Sequence, residues 1–103
     1  MNWKLWLDDQ MLDNEAPDRH CPEGFFGARS TGEAQRLCLM AGPPSFVDFD
    51  HDLGGSDDAL VFLHWLEKSF PDTPPEYQIH SANPVGRERI VSFLESWKKS
   101  LQL

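Results

Sequence analysis

Long apolar runs, a cysteine framework and a basic face are all missing from this chain of 103 residues. The longest apolar stretch, Ala59 to Leu66, is interrupted by His64 and falls well short of the ~20 residues that cross a bilayer, so no membrane partner is expected. Cys21 and Cys38 lie far apart, outside any CxxC pair, which excludes a disulfide framework and a cysteine zinc site. Nine Lys and Arg stand against seventeen Asp and Glu, a formal charge of −8. Non-specific DNA binding and adsorption to anionic membrane both need a positive surface, so neither is expected. The opening Met1-Asn2-Trp3-Lys4 leads straight into a strand-like segment, so no signal peptide is expected and the location expected is cytoplasmic. What remains is ordinary globular material, 40% hydrophobic and 25% charged, of a length that supports one domain over residues 1–103.

Along the chain, apolar runs that end at polar clusters alternate with stretches of helical spacing. Lys4-Leu5-Trp6-Leu7 reads as a buried strand that stops at Asp8-Asp9. Gln10 to Gly24 is a polar connection, in which Met11 and Leu12 can anchor one helical turn. Phe25 to Arg29 reads as a second strand. Ser30 precedes Glu33 at capping-box spacing, so a helix with Ala34, Leu37 and Met40 or Ala41 on its apolar side is expected, ended by Gly42-Pro43-Pro44. Phe46 to Asp50 is the third strand. Ser56 or Asp57 can cap the next helix, which carries Leu60, Leu63, Leu66 and Phe70. Glu76 to Ile79 forms a fourth strand, and a last helix from about Gly86 aligns Ile90, Leu94, Trp97 and Leu101. This alternation predicts an α/β fold: a small doubly wound, flavodoxin-like parallel sheet of about four strands, order 2-1-3-4, lacking the usual fifth.

In such a sheet the C-terminal strand ends share one edge, where ligands collect. That edge would receive Asp8 and Asp9 from the first strand, Asp50, His51 and Asp52 from the third, and His80, Ser81 and Asn83 from the fourth. Four carboxylates close together repel, so either their protons are held more tightly or a cation sits among them. Oxygen-rich ligation suits Mg²⁺ or Mn²⁺, and the histidines leave Zn²⁺ open.

Plain structural roles compete with these readings. Asp pairs after strands also make turns and caps, and a histidine after a strand also serves as a hydrogen-bonded structural residue. Asp57 and Asp58 are read as helix-start charges, His64 as exposed or satisfied by a neighbour, and Trp3, Trp6, Trp65 and Trp97 as core or core-edge. Arg87, in a first helical turn, opposes the helix dipole unless it pairs with a phosphate or a carboxylate.

Four segments together resemble the cyclic-phosphate processing receiver-like domains, relatives of the response-regulator receiver fold. They are Leu5-Trp6-Leu7-Asp8-Asp9, Ser30-Thr31-Gly32-Glu33-Ala34, Asp50-His51-Asp52-Leu53-Gly54 and Ile79-His80-Ser81-Ala82-Asn83-Pro84-Val85-Gly86-Arg87. The resemblance implies that Asp8 and Asp9 are the acidic Mg²⁺-binding pair, Asp50 the counterpart of the phosphoacceptor, and Ser81 the hydroxyl residue after the fourth strand. Met11 stands where members often carry Arg, and the fifth strand with its lysine has no counterpart, so ordinary phosphorelay is not expected.

The function expected is therefore a metal-dependent phosphoesterase acting on, or recognising, a cyclic phosphate of a nucleotide or RNA end. Asp8, Asp9, Asp50 and Asp52 would hold the divalent ion. His51, His80 and Asp50 are the catalytic candidates, and Ser81, Asn83 and Arg87 would position the phosphate. The alternative is a non-catalytic receiver-like module that senses a nucleotide or metal or docks on a protein. The state expected is a monomer or a weak dimer, the latter paired through the edge left by the missing strand.

Overall fold

A computed structural model describes residues 2–12, 20–50, 53, 58–81 and 83–102. Four parallel strands form one sheet: β1 (Lys4–Leu7), β2 (Phe26–Ala28), β3 (Phe46–Phe49) and β4 (Glu76–Ile79), in the order β2-β1-β3-β4. Helices α1 (Thr31–Ala41), α2 (Ala59–Ser69) and α3 (Pro84–Ser100) follow β2, β3 and β4. This is the α/β receiver-like order expected from the alternation of segments.

The side-chain alternation of strands divides the sheet into two unlike faces. Leu5 and Leu7 of β1, Val47 and Phe49 of β3, and Ala28 of β2 point into a single apolar core. There they meet Ala34 and Cys38 of α1, Phe62, Leu63 and Leu66 of α2, and Ile90, Leu94 and Trp97 of α3. Fully burying each large apolar side chain contributes about 2 kcal/mol against the entropy of ordering the chain. Among the described residues, all three helices thus feed the Leu5–Leu7 face. The opposite face carries Trp6 of β1 and Asp48 of β3, paired across the strands in register and both buried, yet outside that core. Phe25 joins them there, edge-on to Trp6 and to Phe46 at 6.1 and 6.0 Å between ring centres.

Local chemistry sets the helix ends. The Glu33 N–H donates to Ser30 Oγ, and the Glu33 carboxylate accepts the backbone N–H of Arg29, so the expected capping box reaches one residue further back. Gly42 ends α1 with φ +83°, its N–H donating to the Cys38 carbonyl. Three sequence expectations shift. The second strand is shorter than Phe25–Arg29, because only Phe26 to Ala28 pair with β1. The cap of α2 is Asp58, whose carboxylate accepts the N–H groups of Leu60 and Val61; Ser56 and Asp57 lie outside the described residues. The last helix starts at Pro84 rather than near Gly86, since Asn83 Oδ1 caps the Gly86 N–H and Pro84 has no N–H to satisfy. Leu101 is its C-cap and is exposed, leaving Ile90, Leu94 and Trp97 as the buried face.

Candidate functional site at the strand ends

The ladders run one residue beyond the strands, and this lines up the site. The Asp8 N–H donates to the Ala28 carbonyl, the Asp50 N–H to Leu7, and the His80 N–H to Phe49, at 3.0, 2.8 and 2.9 Å. Asp8, Asp50 and His80 therefore stand side by side at the carboxyl edge. One carboxylate oxygen each from Asp8, Asp9 and Asp50 lies within 4.8 Å of the others. Asp8 and Asp50 are buried and Asp9 is half-buried. Asp8 Oδ1 accepts the N–H of Gln10, an Asx-type turn that bends the chain away just after the acidic pair.

His80 is clamped in this row. Its Nε2 lies 2.9 Å from Asp8 Oδ2 and its Nδ1 2.6 Å from Asp48 Oδ1. Its ring stacks on Trp6, centres 4.0 Å apart and planes 3° from parallel. Ionised carboxylates only accept, so both contacts are satisfied together when both ring nitrogens carry protons. Burial alone would lower the imidazole pKa from 6.5, but the hydrogen bonds and charges of Asp48 and Asp8 outweigh it, and the net shift is upward. The two carboxylates thus favour the protonated form of His80, whose ring is held above an indole face.

Ser81 is buried behind it, with its Oγ accepting the Asn83 N–H. Asn83 caps α3, so the free N–H groups of that helix open at the same edge. Arg87 Nη1 lies 3.4 and 3.3 Å from the carbonyl oxygens of Ile79 and Ser81, to which it donates. Glu76 and His80 hydrogen-bond to the β3 side through their N–H groups, so in a parallel ladder the alternate carbonyls of Ile79 and Ser81 face the open side of β4. Arg87 therefore fastens the end of β4 to the first turn of α3.

Of the sequence candidates, the structure brings together Asp8, Asp9, Asp50 and His80, with Ser81, Asn83 and Arg87 along the β4–α3 junction. His51 and Asp52 lie outside the described residues. Trp6 and Asp48 are not among the site residues that the sequence points to; Trp6 is buried, as expected of a core or core-edge residue, and it also stacks on His80. The available clue was the alternation in Phe46-Val47-Asp48-Phe49, which puts an acid mid-strand where a buried charge needs a partner. The donors of the acidic cluster are all carboxylate oxygens, which fits the hard ions Mg²⁺ and Mn²⁺. His80 offers no free nitrogen to recruit Zn²⁺, because both are hydrogen-bonded.

The sequence model of the family described as Cyclic-phosphate processing Receiver domain matches residues 3–96. The chain belongs to this family. The match spans every strand and most of α3, so the shared edge built by Asp8, Asp50 and His80 falls inside it. No curated protein and no solved structure matches the chain. Among the described residues, no helix of this receiver domain is long and apolar enough to cross a membrane.

Proposed function

We propose that this receiver domain is a metal-dependent phosphoesterase that opens a cyclic phosphate on a nucleotide or an RNA end. The observation that carries the reading is the convergence of Asp8, Asp9 and Asp50 oxygens within 4.8 Å, at the edge where α3 begins. A divalent ion held by these three, with Asp52 as a further candidate ligand, would supply the positive charge that a phosphate needs on so acidic a surface. Asn83 fixes the start of α3, whose first N–H groups face an incoming phosphate. Ser81 lies at the same strand end, and Arg87, fastened to the open side of β4, is a further candidate for the phosphate. In the reaction, a water oxygen bonds to phosphorus, one ring P–O bond breaks, and the departing ribose oxygen takes a proton.

Within this scheme His80 holds Asp8 in place and offsets carboxylate repulsion, since both its nitrogens are engaged. His51, the neighbour of Asp50 in the chain, is then the candidate base. The same engagement of His80 favours one second reading, a module that binds the phosphate without turnover. Phosphorus NMR of the purified protein, stripped of metal and resupplied with Mg²⁺ or Mn²⁺, separates the two. Ring opening of cyclic nucleotides that needs metal and vanishes in Asp50→Asn supports the enzyme. Binding without any ring opening supports the module.

A further inference from the structure

Beside the acidic edge lies a cleft of about 370 Å³ whose chemistry is different. Its floor is Met11, Leu12 and Gly27, and its rim is Arg29, Glu33 and Arg36. The volume falls in the range of about 300–1,000 Å³ usual for small-molecule pockets. The floor depends on a bare glycine: a Cβ on Gly27 would stand 2.5 Å from the Met11 sulfur and 3.3 Å from Cys21 Cβ. Met11 therefore rests directly on β2, and Leu12 beside it is well exposed.

The rim carries a net positive charge on a protein of net charge −8. Arg29 Nη2 and Glu33 Oε2 pair at 3.2 Å, and Glu33 also accepts the Arg29 N–H, so the Glu33 carboxylate is neutralised and its pKa lowered. Arg36 makes no direct hydrogen bond or ion pair among the described residues, acting on Glu33 only through charge. Its Nη2 lies 3.8 Å from where a Gly32 Cβ would be, so the guanidinium folds back toward the first turn of α1. That turn follows the carboxyl end of β2, whose Ala28 carbonyl accepts the Asp8 N–H. Met11 of the cleft floor follows Asp9 by two residues, and β2 pairs directly with β1, the strand that delivers Asp8 and Asp9.

We infer that this cleft is a subsite for the nucleotide preceding the cyclic phosphate, so that the ligand is an RNA 3′ end rather than a free mononucleotide. The thioether and aliphatic floor takes a base, and Arg36 takes the connecting phosphodiester. This rests on the proposed cyclic-phosphate reading and adds the substrate class to it.

The test is equilibrium binding of two probes, adenosine 2′,3′-cyclic phosphate and the dinucleotide ApA ending in a 2′,3′-cyclic phosphate. The wild-type protein should bind the dinucleotide about fivefold more tightly, and the ratio should shrink as salt is raised, as expected for a phosphate contact at a partly exposed arginine. The ratio should fall to about one in Arg36→Ala and persist in Arg89→Ala, a cationic position between α2 and α3. Equal affinities in the wild type, or a ratio that survives Arg36→Ala, overturn the subsite and leave the cyclic-phosphate reading standing. A mononucleotide that does not bind at all overturns the cyclic-phosphate reading, and the subsite with it.

Discussion

His80 Nδ1 lies 2.6 Å from Asp48 Oδ1, joining the residue just past β4 to the middle of β3. The two are 32 positions apart and sit on the sheet face opposite the apolar core. Both carboxylates on the ring are buried; Asp48 lies within β3, and Asp8, just past the end of β1, belongs to the acidic cluster. The pairing therefore connects a buried structural charge to the place where chemistry is proposed. It also answers the repulsion problem posed by clustered acids with a cation of the chain's own.

Removing Asp48 should be costly in proportion to what replaces it. Asp48→Leu leaves Nδ1 unpaired in a buried setting and should cost about 2–3 kcal/mol. Asp48→Asn keeps an acceptor at the same position and should cost about 1 kcal/mol. Urea unfolding of the three proteins, with unchanged slope, measures both. Equal stability of Asp48→Leu and wild type would show that the contact contributes nothing.

The raised pKa of His80 predicts a pH dependence of stability. The protonated ring is favoured in the folded state, so its contribution is complete below the unfolded value of 6.5 and is lost as pH rises through the higher folded value. In chelator, unfolding free energy should decline on going from about pH 6 to about pH 9, and His80→Gln should flatten that slope. The imidazole signals of His80 should titrate above those of an unfolded control. A slope that persists in His80→Gln would assign it to other groups.

Much of this arrangement was legible in the sequence because it depends on where strands stop. Asp8-Asp9 ends one apolar run and Asp50 ends another, and parallel strands must bring those ends to one edge. The capping of α1 by Ser30 follows from a similarly local feature, whereas the strand order follows from the flavodoxin-like topology that the alternation of strands and helices suggests. Trp6 and Asp48 were not legible in the same way. Their roles depend on which face of the sheet the helices cover, and that follows from packing across the whole chain. α3 starts two residues before the expected position near Gly86, because Asn83-Pro84 supplies a cap and a compatible first position.

The two cysteines should differ sharply in reactivity. Burial pushes the Cys38 thiol up to about 12, with its side chain enclosed in the core. Burial also raises the Cys21 thiol, but that residue is half-exposed and its Sγ donates to the Phe25 carbonyl. Ellman's reagent should consume one thiol on the native protein and two after denaturation. Cys21→Ser should then leave a native protein with no reactive thiol. Rapid loss of both thiols without denaturant would mean that the core around Cys38 opens readily.

A last expectation concerns the acidic edge itself. A divalent ion that binds only the folded protein must raise its melting temperature, by about 2.7 kcal/mol of stabilisation at a hundredfold excess over the dissociation constant. For a domain of this size that corresponds to a shift of roughly 10–20 °C. Mg²⁺ and Mn²⁺ should both produce it, and Asp50→Asn should remove most of it by taking away one of three clustered oxygens. In metal-free buffer the same Asp50→Asn change should be neutral or stabilising, because it relieves repulsion among Asp8, Asp9 and Asp50. That opposite sign in the absence of metal distinguishes an ion site from acids that merely brace the edge. Bracing alone predicts no metal shift and a loss of stability on substitution.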